Sequence, residues 1–418
     1  MGVKIMYFIK ILLIGSLLLF VGCENEKKNE DRIKKTYFGM HLQNPNIFSS
    51  TLNSPHNLGY GTIRLWDTGT KWRNLEINKG EFDFTRLDQM VSEATQYNQE
   101  ILLTLGQPPN WATGGKSLSW YGENYNSIPP NSIEDWKNYL KTVGERYKGK
   151  IQYYEIWNEA NVKGFYSGSV EDLVNLTNEA NKVLKEIDPN IKIVSPSMAD
   201  GQAGVEFLNK FLKAGGGEFI DVISLHLYVN PSPPEEVISL IRKYKEVINR
   251  NNFKDLPIWN TEFTWVNFML DGEIEKSKIM PDELAAAYLS RMLLINASMD
   301  IERSYFYGMD YESSKIRLIE RSNPRWILLP GIAYKNIASW LTGAVIEDFS
   351  QEKGYYLLTF ESKEGEKGII AWTEYSKKKI KLPSGFLEGK YYSTIGEINN
   401  YSDGEIYLTG MPVLIYEN

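Results

Sequence analysis

The chain is poor in the residues that many catalytic chemistries require. Its 418 residues include one cysteine, Cys23, near the N-terminus. A single thiol in the leader excludes an internal disulfide and a thiolate metal site from the rest of the fold. The three histidines, His41, His56 and His226, are too scattered for a His-rich zinc site. No His-Glu-x-x-His and no Gly-x-Ser-x-Gly occurs, which argues against zincin and nucleophile-elbow chemistry. Gly115-Lys116-Ser117 has the form of a phosphate-loop tail, but Asn110 stands where the first glycine belongs. Net charge is −7, so nucleic acid is not an expected partner. No metal and no cofactor are expected. What is plentiful is aromatic: 26 Tyr and 11 Trp. Sugar clefts stack rings on such side chains, although most aromatics fill core.

Residues 1–23 read as an export signal. Lys4 and Lys10 supply positive charge, and Ile11–Val21 is an apolar run too short to span a bilayer as a mature helix. The ending Leu19-Phe20-Val21-Gly22-Cys23 resembles a bacterial lipobox. That resemblance implies cleavage before Cys23, lipidation of its thiol and a membrane-anchored envelope protein. The alternative is a plain secretory signal with a coincidental cysteine. Residues 24–35 are charged and read as a flexible tether.

From residue 36 to 342, strand-like and helix-like runs alternate. The strand candidates are Thr36–His41, Thr62–Trp66, Ile101–Gly106, Ile151–Asn158, Ile191–Ser197, Asp221–Leu227, Pro257–Glu262 and Ile301–Tyr307. Amphipathic runs such as Phe84–Tyr97, Ile133–Tyr147, Val170–Ile187 and Pro234–Asn249 separate them. Eight such repeats predict an α/β fold, a (β/α)8 TIM barrel closed by the helix Pro330–Leu341. An open doubly wound sheet would want a Gly-rich loop after the first strand, and none is there. Residues 343–418 change pattern. Tyr355–Glu361, Gly368–Thr373, Lys379–Leu382, Tyr391–Thr394, Glu405–Leu408 and Pro412–Tyr416 read as a small antiparallel, β-sandwich-like domain.

Two strands end alike, in Trp157-Asn158-Glu159 and Trp259-Asn260-Thr261-Glu262. The C-terminal ends of barrel strands are where such enzymes build active sites. Glu159 and Glu262 are 103 residues apart, which fits three βα units of at least about 30 residues each. Two carboxyls there match glycosidic-bond hydrolysis, in which one gives a proton and the other attacks. Alternation places Tyr153, Glu155, Trp157 and Glu159 on one face. Glu155 lies deep and needs a partner, such as an arginine.

Trp157-Asn158-Glu159-Ala160-Asn161 resembles the Trp-Asn-Glu-Pro-Asn motif of clan A retaining glycoside hydrolases. The resemblance implies that Glu159 is the acid/base, Glu262 the nucleophile and Asn158 a ligand of the sugar 2-hydroxyl. Ala160 departs from the motif, and the missing proline implies a looser turn. Gly61–Asp67, Trp72, Lys79–Phe84, Pro108–Ala112 and His226-Leu227-Tyr228 resemble glycoside hydrolase family 39 in order along the chain. The likeness is greatest to members that cut bacterial exopolysaccharides internally.

With those roles, Arg64 is expected beside the nucleophile, keeping it ionised, and Tyr228 is expected to donate to Glu262. His226 and His41 are expected in the substrate site. Trp111, Trp265 and Tyr307 are candidate sugar platforms. The long loop bearing Trp111, Trp120, Tyr121 and Tyr125 hints at an extended cleft. The basic residues Lys315, Arg317, Arg321 and Arg325 could meet an acidic sugar. The expected activity is hydrolysis of a polysaccharide or oligosaccharide by double displacement, within the chain. The rivals are an exo-acting β-xylosidase-like or uronidase-like glycosidase, a transglycosylase, and a non-catalytic glycan-binding lipoprotein, which would tend to lose one carboxylate.

Overall fold

Eight short apolar runs become eight parallel strands: β1 (Phe38–His41), β2 (Thr62–Leu65), β3 (Glu100–Leu105), β4 (Tyr153–Ile156), β5 (Lys192–Val194), β6 (Ile223–His226), β7 (Ile258–Phe263) and β8 (Ile301–Phe306). The computed structural model describes residues 32–42, 57–114, 126–266, 280–309, 314–320, 322–352, 354–374 and 376–417. The strands form one sheet in the order 5-4-3-2-1-8-7-6. Parallel bridges Val194–Val222 and Met198–Leu225 join its two ends, so the sheet closes into the expected barrel. Seven longer helices pack outside: α1 (Thr85–Gln96), α2 (Ile133–Arg146), α3 (Val170–Ile187), α4 (Gln202–Lys213), α5 (Glu236–Arg250), α6 (Asp282–Ser298) and α7 (Leu329–Leu341). Among the described residues, no helix is long and apolar enough to cross a membrane.

The lumen is layered. Leu102, Val194, Val222, Trp259 and Tyr305 come from different sides of the barrel and meet with Tyr153 in one apolar cluster. Gly39 makes room for it, since a Cβ there would lie 2.5 Å from the Tyr305 ring. Arg303 lies over the Tyr153 and Trp259 rings and pairs with Glu100. Above this floor, Thr104, Glu155, Ser224, Thr261 and Arg64 make a buried polar layer. The polar layer faces the C-terminal mouth, where a site needs it.

After α7 come β9 (Val345–Glu352), β10 (Tyr355–Glu361), β11 (Lys367–Trp372), β12 (Lys378–Lys381), β13 (Gly389–Ser393), β14 (Ile398–Tyr401), β15 (Glu405–Leu408) and β16 (Val413–Tyr416). Six form a sheet in the order 9-10-11-16-13-14, and β12 pairs with β15. Period-two alternation serves both faces. Ile370 and Trp372 belong to the barrel's core, while Ile369 and Ala371 belong to a second core with Ile380, Ile406 and Ile415. Two of these strands escape the sequence pattern. Val345–Glu352 carries Glu347, Asp348, Ser350 and Gln351, and Ile398–Tyr401 carries Asn399-Asn400, so neither shows apolar alternation of a half-buried strand. A buried polar joint fixes the sheet to the barrel. Arg291 of α6 donates to the Thr373 and Glu374 carbonyls and lies 3.4 Å from Glu235, which accepts from the Trp372 indole.

The end of the expected tether is part of the body. Arg32 donates to the Gly343 carbonyl and lies 3.5 Å from Glu361, while Ile33 and Ala344 exchange backbone bonds with each other's neighbourhood through Ile33 N to Ala344 O and Gly343 N to Ile33 O. Cys23, His56, Trp120, Tyr121, Tyr125, Arg321 and the side chain of Arg325 lie outside the described residues.

Candidate active site

The Trp157–Asn161 segment is held in an uncommon backbone. Trp157 and Glu159 have φ of 71° and 47°, left-handed values that cost a non-glycine residue about 1 kcal/mol or more each. Gly106, at φ 143°, leaves room for the Trp157 ring, 3.2 Å from where its Cβ would be. The strand therefore ends at Ile156, and simple alternation fails beyond it. Asn158, not Trp157, shares a partner with Glu155: both bond Arg64. Trp157 is instead buried against Tyr166, its indole donating to the Phe165 carbonyl.

The turn is also not loosened by Ala160. Its N–H donates to the Ser197 carbonyl at 3.1 Å, a bond proline could not make. Glu159 N donates to Ser197 Oγ, and Asn161 exchanges two bonds with Ala199. With Ser197 N donating to the Trp157 carbonyl, five hydrogen bonds tie the segment to the loop after β5.

Glu262 is delivered by a bulge. Leu225 pairs with Asn260 and His226 with Glu262, so Thr261 is an extra residue in β7. A bulge re-aims the side chain beside it, here toward β4. One carboxylate oxygen of Glu159, one of Glu262 and a ring nitrogen of His226 lie within 4.8 Å of one another. Both oxygens of Glu262 are occupied: Arg64 Nη1 donates to Oε2 at 2.7 Å and Tyr228 Oη to Oε1 at 2.6 Å. His226 Nδ1 lies 2.8 Å from Glu159 Oε1. The triad has metal-ligand spacing, but Arg64 already supplies Glu262 with a positive charge at bonding distance.

The two carboxyls have unlike surroundings. Burial drives Glu159 up to about 7, with Arg64 pulling against the rise and Asp67, Asp200 and Glu155 adding to it. Burial also raises Glu262, but Arg64 and Tyr228 oppose it. Burial lowers His226 to about 4 and His41 to about 3, so both rings are neutral near pH 7. A neutral His226 can accept from protonated Glu159 or, as the other tautomer, donate to its carboxylate. A raised folded-state value means that the native protein holds the Glu159 proton more tightly than the unfolded chain. The contribution of Glu159 to stability is therefore complete below about pH 4.5 and is lost as pH rises through about 7. Glu159→Gln is expected to remove this loss and exceed the wild type in stability at pH 8 by roughly 3 kcal/mol, with little difference at pH 4.5, in urea unfolding.

The remaining sequence candidates separate. His41 is buried, with Nδ1 3.9 Å from Glu262 Oε2 and Nε2 accepting weakly from Asp67 N. Tyr307 packs edge-on to His41 and donates to Asp67, which also pairs with Lys71. Trp111 is half-buried at the mouth, donating to the Glu76 carbonyl with Lys79 over its ring. Trp265 is corrected to core. It is 1% exposed, packs on Tyr288 and donates to the Ser232 carbonyl, so it offers a sugar no open face. Lys315 and Arg317 are only half-buried. Sequence reasoning missed Asp67 and Lys71 as site groups, and missed Ser197 and Thr104. Polar residues at the ends or inward positions of barrel strands were the available signal.

Comparison with known proteins places this geometry in a family. Residues 36–309 match glycosyl hydrolases family 39, and the chain belongs to it. It is 23% identical over 273 residues to a β-xylosidase of Geobacillus stearothermophilus, covering 56% of this chain and 52% of that one. It is 25% identical over 289 residues to endo-1,4-β-xylanase 1 of Gibberella zeae, covering 64% and 75%. The chain thus spans about half the length of the first of these relatives. Among solved structures, a family 39 glycoside hydrolase from Bacteroides cellulosilyticus aligns with a TM-score of 0.73 at 20% identity, over 94% of this chain and 82% of that one. A family 39 β-xylosidase from Caulobacter crescentus aligns with a TM-score of 0.61 at 16% identity, over 93% and 96%.

Proposed function

We propose that the protein is a retaining glycoside hydrolase that cuts within a polysaccharide, with Glu262 as nucleophile and Glu159 as acid/base. The observation that carries the reading is the approach of the two carboxyls, with oxygens inside 4.8 Å. Retaining enzymes hold their carboxyls about 5–5.5 Å apart, whereas inverting enzymes leave about 6.5–9.5 Å for a water. In the first step Glu262 attacks the anomeric carbon while Glu159 gives its proton to the leaving oxygen. In the second, Glu159 takes a proton from the water that displaces Glu262. Asn158, 2% exposed and beside Glu262 through Arg64, is suited to bind the sugar hydroxyl next to the reacting carbon. His226, Tyr228, His41, Tyr307 and Trp111 line the same mouth.

The names of the relatives make β-linked xylose the first substrate to try. Purified protein is expected to release products from one member of a panel of aryl glycosides and polysaccharides. Early proton NMR should show the product anomer with the configuration of the substrate, and polymer products should be oligomers rather than single sugars. Inverted anomers would overturn the retaining assignment, and release of single sugars alone would overturn internal cleavage.

The same proposal includes a lipid on Cys23, motivated by the apolar run that ends in Gly22-Cys23. Labelled fatty acid should enter the wild-type protein and not the Cys23→Ser variant, and an unlabelled wild type would refute the anchor.

A further inference from the structure

Glu155 is a fully buried carboxylate to which the two-step reaction gives no task. Its Oε2 accepts from Arg64 Nε at 2.9 Å, from Arg64 Nη2 at 2.7 Å and from Thr104 Oγ1 at 2.6 Å. Its Oε1 accepts from Ser224 Oγ at 2.6 Å, and that hydroxyl is itself 2.6 Å from Thr261 Oγ1. Four strands thus contribute to one carboxylate. A pair that served stability alone could spend the whole guanidinium on Glu155. Arg64 does not: Nη1 reaches Glu262 at 2.7 Å and Nη2 also reaches Asn158 at 2.6 Å. The guanidinium is a fork whose stem rests on Glu155 and whose tines hold the attacking carboxylate and the asparagine beside it.

We propose that Glu155 is a positioning residue that sets the pH window of the reaction through Arg64. The inference rests on the retaining reading. Arg64 faces Glu155 and Glu262 directly, with Asp67, Glu159, His41 and His226 around it. Lys71 is the other cation nearby and is paired with Asp67. With Glu155 ionised, the Arg64–Glu155 unit carries no net charge. Without that negative charge, the guanidinium would act at full strength on both reacting carboxyls. Each would then lose its proton at lower pH, by about one pH unit at Glu159 and no less at Glu262, since a unit charge even some 10 Å away at an effective dielectric near 20 has that effect and Glu262 shares the guanidinium with Glu155. At pH 7 the protonated fraction of Glu159 would fall about fivefold. Glu155 also fixes where the fork points, which is a separable property.

Glu155→Gln and Glu155→Asp separate charge from position. The full-length variants would be labelled with carboxyl-¹³C glutamate, and the Glu159 and Glu262 signals identified through their own Gln variants. In Glu155→Gln both titrations should move down by about one unit or more, and both limbs of the kcat/KM profile on the aryl glycoside cleaved by the wild type should follow. In Glu155→Asp the titrations should stay in place, while the withdrawn carboxylate lets the fork shift and kcat falls tenfold or more with KM little changed. Unmoved titrations in Glu155→Gln would overturn the proposal, as would wild-type kcat in Glu155→Asp. If Glu155→Gln does not fold, the Asp variant decides alone. If neither an aryl glycoside nor a polysaccharide of the panel is cleaved while the titrations move as expected, the hydrolase reading fails and the role of Glu155 in setting the two titrations stands.

Discussion

Glu262→Ala is expected to lose on the order of 10⁵-fold or more in turnover at every pH, because in the proposed double displacement both chemical steps pass through the removed oxygen. Glu159→Ala is expected to fail differently. It keeps Glu262 with its Arg64 and Tyr228 partners, so an activated aryl glycoside, whose leaving group needs no proton, still forms the covalent intermediate. That intermediate then lacks its base and accumulates. Azide needs no deprotonation and should restore turnover, giving a glycosyl azide of retained configuration. Rescue of Glu262→Ala by azide with retention, or no burst and no rescue in Glu159→Ala, would reverse or remove the assignment. The pH profile offers a second reading of the same pair. With burial holding Glu159 up to about 7, the alkaline limb of kcat/KM should fall near neutrality, and Glu159→Ala acting on an activated substrate should lose that limb.

Arg64→Met is the other change expected to have a large effect, and it acts on folding as well as on chemistry. The guanidinium is wholly buried and bonds Glu155, Asn158 and Glu262. Removing it leaves two buried carboxylates without a counter-charge, which costs about 3–5 kcal/mol. Part of that cost is relieved by protonation. The remaining loss should therefore grow as pH rises, which urea unfolding at pH 5 and pH 8 would reveal. The surviving enzyme should show its acidic limb displaced upward, because Arg64 now opposes the rise that burial imposes on Glu262. An unmoved acidic limb together with a higher KM would make Arg64 a substrate ligand instead.

The barrel is legible in the sequence because strand and helix periods alternate eight times. Glu159 and Glu262 are legible as candidates because each ends a strand in a tryptophan-asparagine context. What local pattern cannot carry is the path of the backbone at those two points. Period-two counting places Glu155, Trp157 and Glu159 on one face, yet left-handed φ values at Trp157 and Glu159 reset the count. The extra Thr261 in β7 does the same on the other side of the site. Trp265 shows the complementary failure. A tryptophan three residues after a candidate nucleophile suggests a sugar platform, but Tyr288 on a helix beyond it decides that the ring is covered. That information is long-range. The edge strands of the C-terminal sheet are missed for a different reason: their faces are polar, so burial imposes no alternation on them.

The clamp of Arg32 and Ile33 on Gly343, Ala344 and Glu361 has a geometric consequence for the protein at a surface. Gly343 and Ala344 follow the C-terminal end of α7, and barrel helices run opposite to the strands. The chain therefore enters the body at the pole opposite Glu159 and Glu262. From Cys23 to Arg32 a polypeptide reaches at most roughly 30 Å. If Cys23 carries the proposed lipid, the leash holds the barrel by its closed end and within about one domain diameter of the bilayer. The two carboxyls then face away from the membrane, toward polymer arriving from outside rather than chains emerging beneath it.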